Sequence, residues 1–176
     1  MPLALLRGVM PVGSNRIPKM AYLREILTAS ELQSIQTYIQ SGNIIFETSQ
    51  SDNEASRLIH ETIKEKIGAD LAVIIKESAQ FERAVFENPF SSGYDSIRVH
   101  LVFTNDDLPA AKCQELTVKD FGDEELTLGS ECFCMYLPRT AQKKRLTTNY
   151  LEKQLGIKAT MRKLSLAAKL SQFSCR

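Results

Sequence analysis

Across residues 3–76 the apolar side chains change their spacing in a fixed order, and that order leaves few folds open. They run almost continuously from Leu3 to Met10, then recur at helical spacing at Met20, Leu23, Ile26 and Leu27. Strand-forming segments, Ser34 to Gln40 and Asn43 to Thr48, flank Ser41-Gly42. Leu58, Ile59, Ile63 and Ile67 return to the helical period, and Leu71 to Lys76 closes the series with a second short apolar run. A period near 3.6 marks a helix with one buried face, and short apolar runs bounded by turns mark strands. The segment therefore reads strand, helix, hairpin, helix, strand, the βαββαβ order of a ferredoxin-like split unit.

Local signals agree with that order. Pro18 suits the first turn of the first helix, where its missing N–H is harmless. Gly42 and Asn43 both tolerate the positive φ of a hairpin turn. Ser51 with Glu54 three residues on forms a capping box, and Gly68 ends the helix behind it.

The plan then starts again. A short helix is expected from Ser78 to Phe86, and Asn88-Pro89-Phe90-Ser91-Ser92-Gly93 reads as the linker, giving lobes of residues 1–90 and 91–176. Ile97 to Thr104 reads as a strand. Asp106 or Asp107 is placed to cap a helix with Pro109 in its first turn. Glu124 to Leu128 and Glu131 to Leu137 form a hairpin around Gly129-Ser130, with Gly129 suited to a type II′ turn. Leu146, Tyr150, Leu151 and Leu155 build a helix ending at Gly156, and a last helix runs from Met161 to Phe173. The expected fold is α+β, with two ferredoxin-like (βαββα-type) halves, antiparallel or mixed sheets, and a C-terminal helix. Element order alone carries the repeat, because the halves share no obvious residue identity.

The longest apolar runs fall far short of the roughly 18 residues that cross a bilayer. Arg7 interrupts the first of them too early for a secretory core, so a cytoplasmic protein with no membrane partner is expected. Cys113, Cys132, Cys134 and Cys175 are too few and too irregular for a disulfide framework or a paired zinc site. Cys132 and Cys134 share a face of their strand. No metal site is expected, and the residues name no cofactor.

Charge is distributed unevenly. Residues 91–138 carry 3 basic and 9 acidic side chains, whereas residues 139–176 carry 10 basic ones against Glu152 alone. Clustered Lys and Arg favour phosphate-rich partners. The competing reading is neutralisation within the chain, the basic segment lying over the acidic stretch Asp120 to Glu131.

Gly8 and Gly13 have the spacing of a phosphate loop between a strand and a helix, but Ser14 and Asn15 stand where a nucleotide-binding loop needs Lys and Ser or Thr. A weaker anion site survives, flanked by Arg7, Arg16 and Lys19. His60 and His100 belong to no recognisable catalytic group. Tyr38, Phe46, Phe103, Phe133 and Tyr136 lie on strands without the signature of an RNA-recognition motif, and read as core.

Three segments together carry a resemblance: Ala4-Leu5-Leu6-Arg7-Gly8 with Val12-Gly13-Ser14-Asn15, then Tyr38-Ile39-Gln40-Ser41-Gly42-Asn43-Ile44-Ile45-Phe46, then Asn88-Pro89-Phe90. The chain resembles the uncharacterised, mostly bacterial proteins grouped as domain of unknown function 1697. That resemblance implies an α+β protein of about this size and supplies no reaction, cofactor or catalytic residue. The chain departs from the family's LLRGINVGG-like opening at Val9-Met10-Pro11, and from its TTRNW-like segment at Ala159-Thr160-Met161-Arg162-Lys163.

Three functions follow as expectations. The first is a module in which Arg7, Gly8, Gly13, Ser14, Asn15, Gln40, Ser41, Gly42, Asn43, Thr160, Arg162 and Lys163 converge on a phosphate-bearing small molecule or nucleic acid. The second is an enzyme on a small phosphorylated or acidic substrate. The third is an interaction protein that docks through its basic C-terminal segment.

Overall fold

The computed structural model describes residues 1–39 and 42–174. It divides into two compact units, Met1–Glu77 and Ser78–Arg176.

The first unit runs β1 (Pro2–Arg7), α1 (Met20–Thr28), β2 (Gln33–Tyr38), β3 (Asn43–Glu47), α2 (Asp52–Ile67) and β4 (Ala72–Glu77). Its strands form an antiparallel sheet in the order β2-β3-β1-β4, as the split βαββαβ pattern requires. Ala4, Leu6, Ile44, Phe46, Val73 and Ile75 form one core with Leu23 and Leu27 of α1 and Ile59 and Ile63 of α2. The other face of the sheet presents Leu3, Leu5, Ile45 and Ile74, all buried. Ser51 and Glu54 close the reciprocal capping box of α2, and Gly68 ends that helix at φ +82°.

The second unit repeats the plan. It runs α3 (Ser78–Phe86), a short 3-10 turn (Ser96–Arg98), β5 (Val99–Thr104), α4 (Ala110–Thr117), β6 (Glu125–Leu128) and β7 (Phe133–Tyr136). It continues with α5 (Thr148–Leu155), β8 (Ala159–Lys163) and α6 (Leu164–Ser171). The sheet order β6-β7-β5-β8 matches that of the first unit strand for strand. Val102, Phe133 and Met135 pack with Leu116 of α4 and with Leu151 and Leu155 of α5. The opposite face, with Leu101 and Phe103, lies under α6 and α3, and the Phe81 ring of α3 meets Phe103 at 4.7 Å between centroids. Helices thus cover this sheet on both sides.

The structure corrects the sequence reading at several places. The units divide after Glu77 rather than after residue 90, because α3 packs along α6. Asn88 folds its own connection, accepting from the Phe90 N–H and donating to the Phe90 carbonyl, and Phe90 is buried. Residues 159–163 form a strand instead of opening the last helix, since each of them pairs with β5. The second unit is therefore βαββαβ with a helix added at each end, α3 before it and α6 after it.

Other corrections are local. Gly8 at φ +90° ends β1 at Arg7, not Met10. Pro18 precedes the N-cap Lys19, and Pro109 itself is the N-cap of α4. Asp106 instead accepts the Lys158 N–H at 2.6 Å, holding the start of β8. Gly129 lacks the positive φ of a type II′ turn, and its N–H donates to Cys132 across a longer connection.

Replacing Ser51 by Ala removes the N-cap acceptor and one half of the box. The expected cost is about 1 kcal/mol of unfolding free energy, read as a lower urea midpoint at unchanged slope.

Candidate functional site

In the first unit, the sequence-predicted residues gather at one end of the sheet. Alternation along β1 puts Arg7 on the face of Leu3 and Leu5, away from α1 and α2. The loop after Gly8 closes on itself: the Met10 N–H donates to Asn15 at 3.0 Å and the Arg16 N–H to Gly13 at 3.3 Å. Asn15 also accepts the Asp70 N–H, and Ser14 is exposed.

Gly42 lies against β1. Its carbonyl accepts the Leu6 N–H at 2.8 Å, and at φ +75° an added Cβ would stand 2.8 Å from that of Leu6. Asn43 does not share the turn; it is the fully buried first residue of β3, and its amide donates to the Tyr38 carbonyl. Gln40 and Ser41 lie outside the described residues.

The loop does not run directly into the first turn of α1. Arg16 to Lys19 separate it from the first turn of α1, and two of its N–H groups are already engaged internally. Asn15, Gly42 and Asn43 thus have structural work within their own unit.

Thr160, Arg162 and Lys163 belong to β8 of the second unit. Arg162 is 6% exposed, and its guanidinium donates to Thr160 Oγ1 at 2.8 Å and to the Met161 carbonyl at 2.9 Å. Burial pulls it down to about 10, so it stays charged at neutral pH. Lys163 is exposed.

A second group of cations shares this end of the sheet. Antiparallel pairing starts β5 where β7 and β8 finish, with Val99 opposite Tyr136 and His100 opposite Lys163. Arg98 in the 3-10 turn and the loop of residues 137–147, with Arg139, Lys143, Lys144 and Arg145, therefore lie at the same end of the sheet as Lys163, the Arg145 end of the loop at the β6 edge and Lys163 at the β8 edge. The loop is tied at both ends. The Leu137 N–H donates to Arg98 at 3.0 Å, and one oxygen of buried Glu124 accepts the N–H groups of Arg145 and Leu146 at 2.7 and 2.8 Å.

Among the described residues none of these six cations forms an ion pair. The nearby acids have other partners: Asp95 accepts the Ile97 N–H and Glu125 the Tyr94 hydroxyl, while Asp123 is exposed. Glu131 is held by Arg83 and Gln80. Among the described residues none of the six forms an ion pair with residues 120–131, where Glu124 instead accepts from the loop's own backbone.

His100 is half-buried with Nδ1 3.0 Å from the Arg98 carbonyl oxygen. Burial, and then the charges of Lys163 and Arg98, hold it below its ordinary value. His60 is bonded to the Leu71 carbonyl and faces Asp70 at 3.5 Å.

Cys113, Cys132 and Cys134 are free and buried, and the Cys132 thiol donates to Cys134, which raises the first and lowers the second. Among the described residues no three His, Cys, Asp or Glu side chains are grouped to hold a metal. No helix there is long and apolar enough to cross a membrane.

Comparison with known proteins places this architecture. The model of the family described as protein of unknown function (DUF1697) matches residues 1–133. The chain belongs to that family. It is also similar to a solved structure described as the conserved bacterial protein SP0830 from Streptococcus pneumoniae, at 21% identity and a TM-score of 0.74 over 97% of this chain and 96% of that one. No curated protein matches.

The basic loop lies wholly beyond the DUF1697 match, and sequence reasoning did not single out Arg98 or Glu124. Arg98 stands apart from the C-terminal run in sequence, and only strand register brings it there. The run Lys143-Lys144-Arg145 was visible, but not its attachment to Glu124.

Glu124→Ala leaves two backbone N–H groups without their acceptor, at a cost of about 1–3 kcal/mol. Trypsin is expected to cut faster at Lys143, Lys144 and Arg145, whereas Glu124→Gln keeps an acceptor oxygen and stays close to wild type. His100 charges less readily folded than unfolded, so its contribution is complete above the unfolded value near 6.5 and is lost as pH falls through the folded one. His100→Gln should flatten that acid limb in urea titrations run at several pH values.

Proposed function

We propose that the second unit binds a phosphate-bearing ligand at the basic end of its sheet. The supporting observation is the set of six Lys and Arg side chains there that no carboxylate of the described residues pairs with. Like charges held together repel one another and recruit counterions. An incoming phosphate relieves that repulsion and releases those ions.

The faces of the sheet are a poorer choice. Phe46, Phe103 and Phe133 are fully buried, so neither sheet offers bases those rings as an open platform. Binding at the strand ends needs no repacking of the core. The loop that supplies most of the charge is already fixed by Glu124 and Arg98, which lowers the entropy lost when a ligand docks.

The test is fluorescence anisotropy with labelled oligonucleotide, competed by a nucleoside triphosphate and by inorganic phosphate. Replacing Lys143, Lys144 and Arg145 together by Ala should reduce the slope of log affinity against log salt by about 2, at roughly 0.7 per single-strand phosphate contact. An unchanged slope, or no binding of any phosphate compound at low salt, overturns the reading.

A further inference from the structure

Beside the basic end stands an aromatic group that the core does not need. Tyr94 precedes the 3-10 turn and Tyr136 ends β7; both are half-buried, and their rings meet edge to face at 4.8 Å between centroids. Phe90, which is buried, supports both, at 5.0 Å from Tyr94 and 6.0 Å from Tyr136. The Tyr94 hydroxyl donates to Glu125 at 3.1 Å, and that bond holds the phenol above its ordinary value. The core of the unit is built from Phe81, Phe103, Phe121 and Phe133 instead.

We infer that Tyr94 and Tyr136 form a stacking platform for the bases of a single-stranded nucleic acid, whose phosphates are held by the adjoining cations. The inference rests on the proposed phosphate-binding reading and names the class of ligand.

Three observations favour it. The rings are rigid, because Phe90 packs against both and Glu125 anchors one, so little freedom is lost when a base lands on them. They adjoin the charge: Val99 faces Tyr136 across the sheet, and the Leu137 N–H donates to the carbonyl of Arg98. Among the described residues the Nε of Arg98 is buried without a hydrogen-bond partner. Aromatic rings beside a basic track are how proteins hold single strands, whose unpaired bases expose their faces; duplex bases are already stacked.

Glu125 settles the polarity. A carboxylate on the hydroxyl of Tyr94 repels phosphate, so the bases go to the tyrosines and the backbone runs toward Arg98 and Arg139.

The experiment compares, on the full chain, a labelled single-stranded oligonucleotide, the same strand with abasic sites, and its duplex. Wild-type protein should prefer the intact strand over both by about tenfold, the value of one stacked base. Tyr94→Ala and Tyr136→Ala should each remove most of that preference without changing affinity for the abasic strand, and Tyr→Phe at either position should restore it. Equal binding of intact and abasic strands with a normal salt slope overturns the stacking inference and leaves phosphate binding intact. Absence of binding to every strand overturns both. Should Tyr136→Ala fail to fold by circular dichroism, Tyr94→Ala and the abasic comparison on wild type decide the matter.

Discussion

Burial of β5 on both faces is the constraint from which the rest of the second unit follows. Val102 points into the core with α4 and α5, while Leu101 and Phe103 lie under α3 and α6. With most positions of β5 taken by packing, charged side chains that stay in water collect where the strands end. Register then decides which ones meet: the start of β5 lies beside the ends of β7 and β8. The basic end of the sheet is a geometric consequence of an antiparallel order with a doubly covered centre.

The same constraint explains the state of Arg162. It stands opposite Leu101, within the covered face, and is bonded to Thr160 and to its own backbone neighbourhood. One position along, Lys163 faces the other way and is exposed. Alternation therefore separates a structural cation from one that is available to a ligand, though both belong to one run of sequence. Charge at a strand end also costs little to keep, because water solvates it, whereas inside the sheet it has to be hydrogen-bonded.

The two units show how one topology tolerates different sequences. Both have the order edge, hairpin partner, centre, edge, yet share little beyond apolar periodicity. Capping and termination are local and were readable: the box at Ser51 and Glu54 and the stops at Gly68 and Gly156 stand where the residues indicated. Asp106 was misread because a carboxylate before a helix can satisfy any nearby N–H, and here the nearest belongs to Lys158, far along the chain. The strand at residues 159–163 was misread because Met161 and Leu164 also fit a helical period, and only pairing with β5 excludes it.

The sequence by itself determined the α+β class, the repeated order of elements, the helix caps and the concentration of positive charge near the C-terminus. Each of these depends on residues within a few positions of one another. Tertiary structure decided where the units divide, which cations lie at one end of the sheet, that the described residues give them no ion pair, and that two half-buried tyrosines adjoin that end. Those facts depend on strand register and helix packing, which bring together residues tens of positions apart, and no local pattern encodes them.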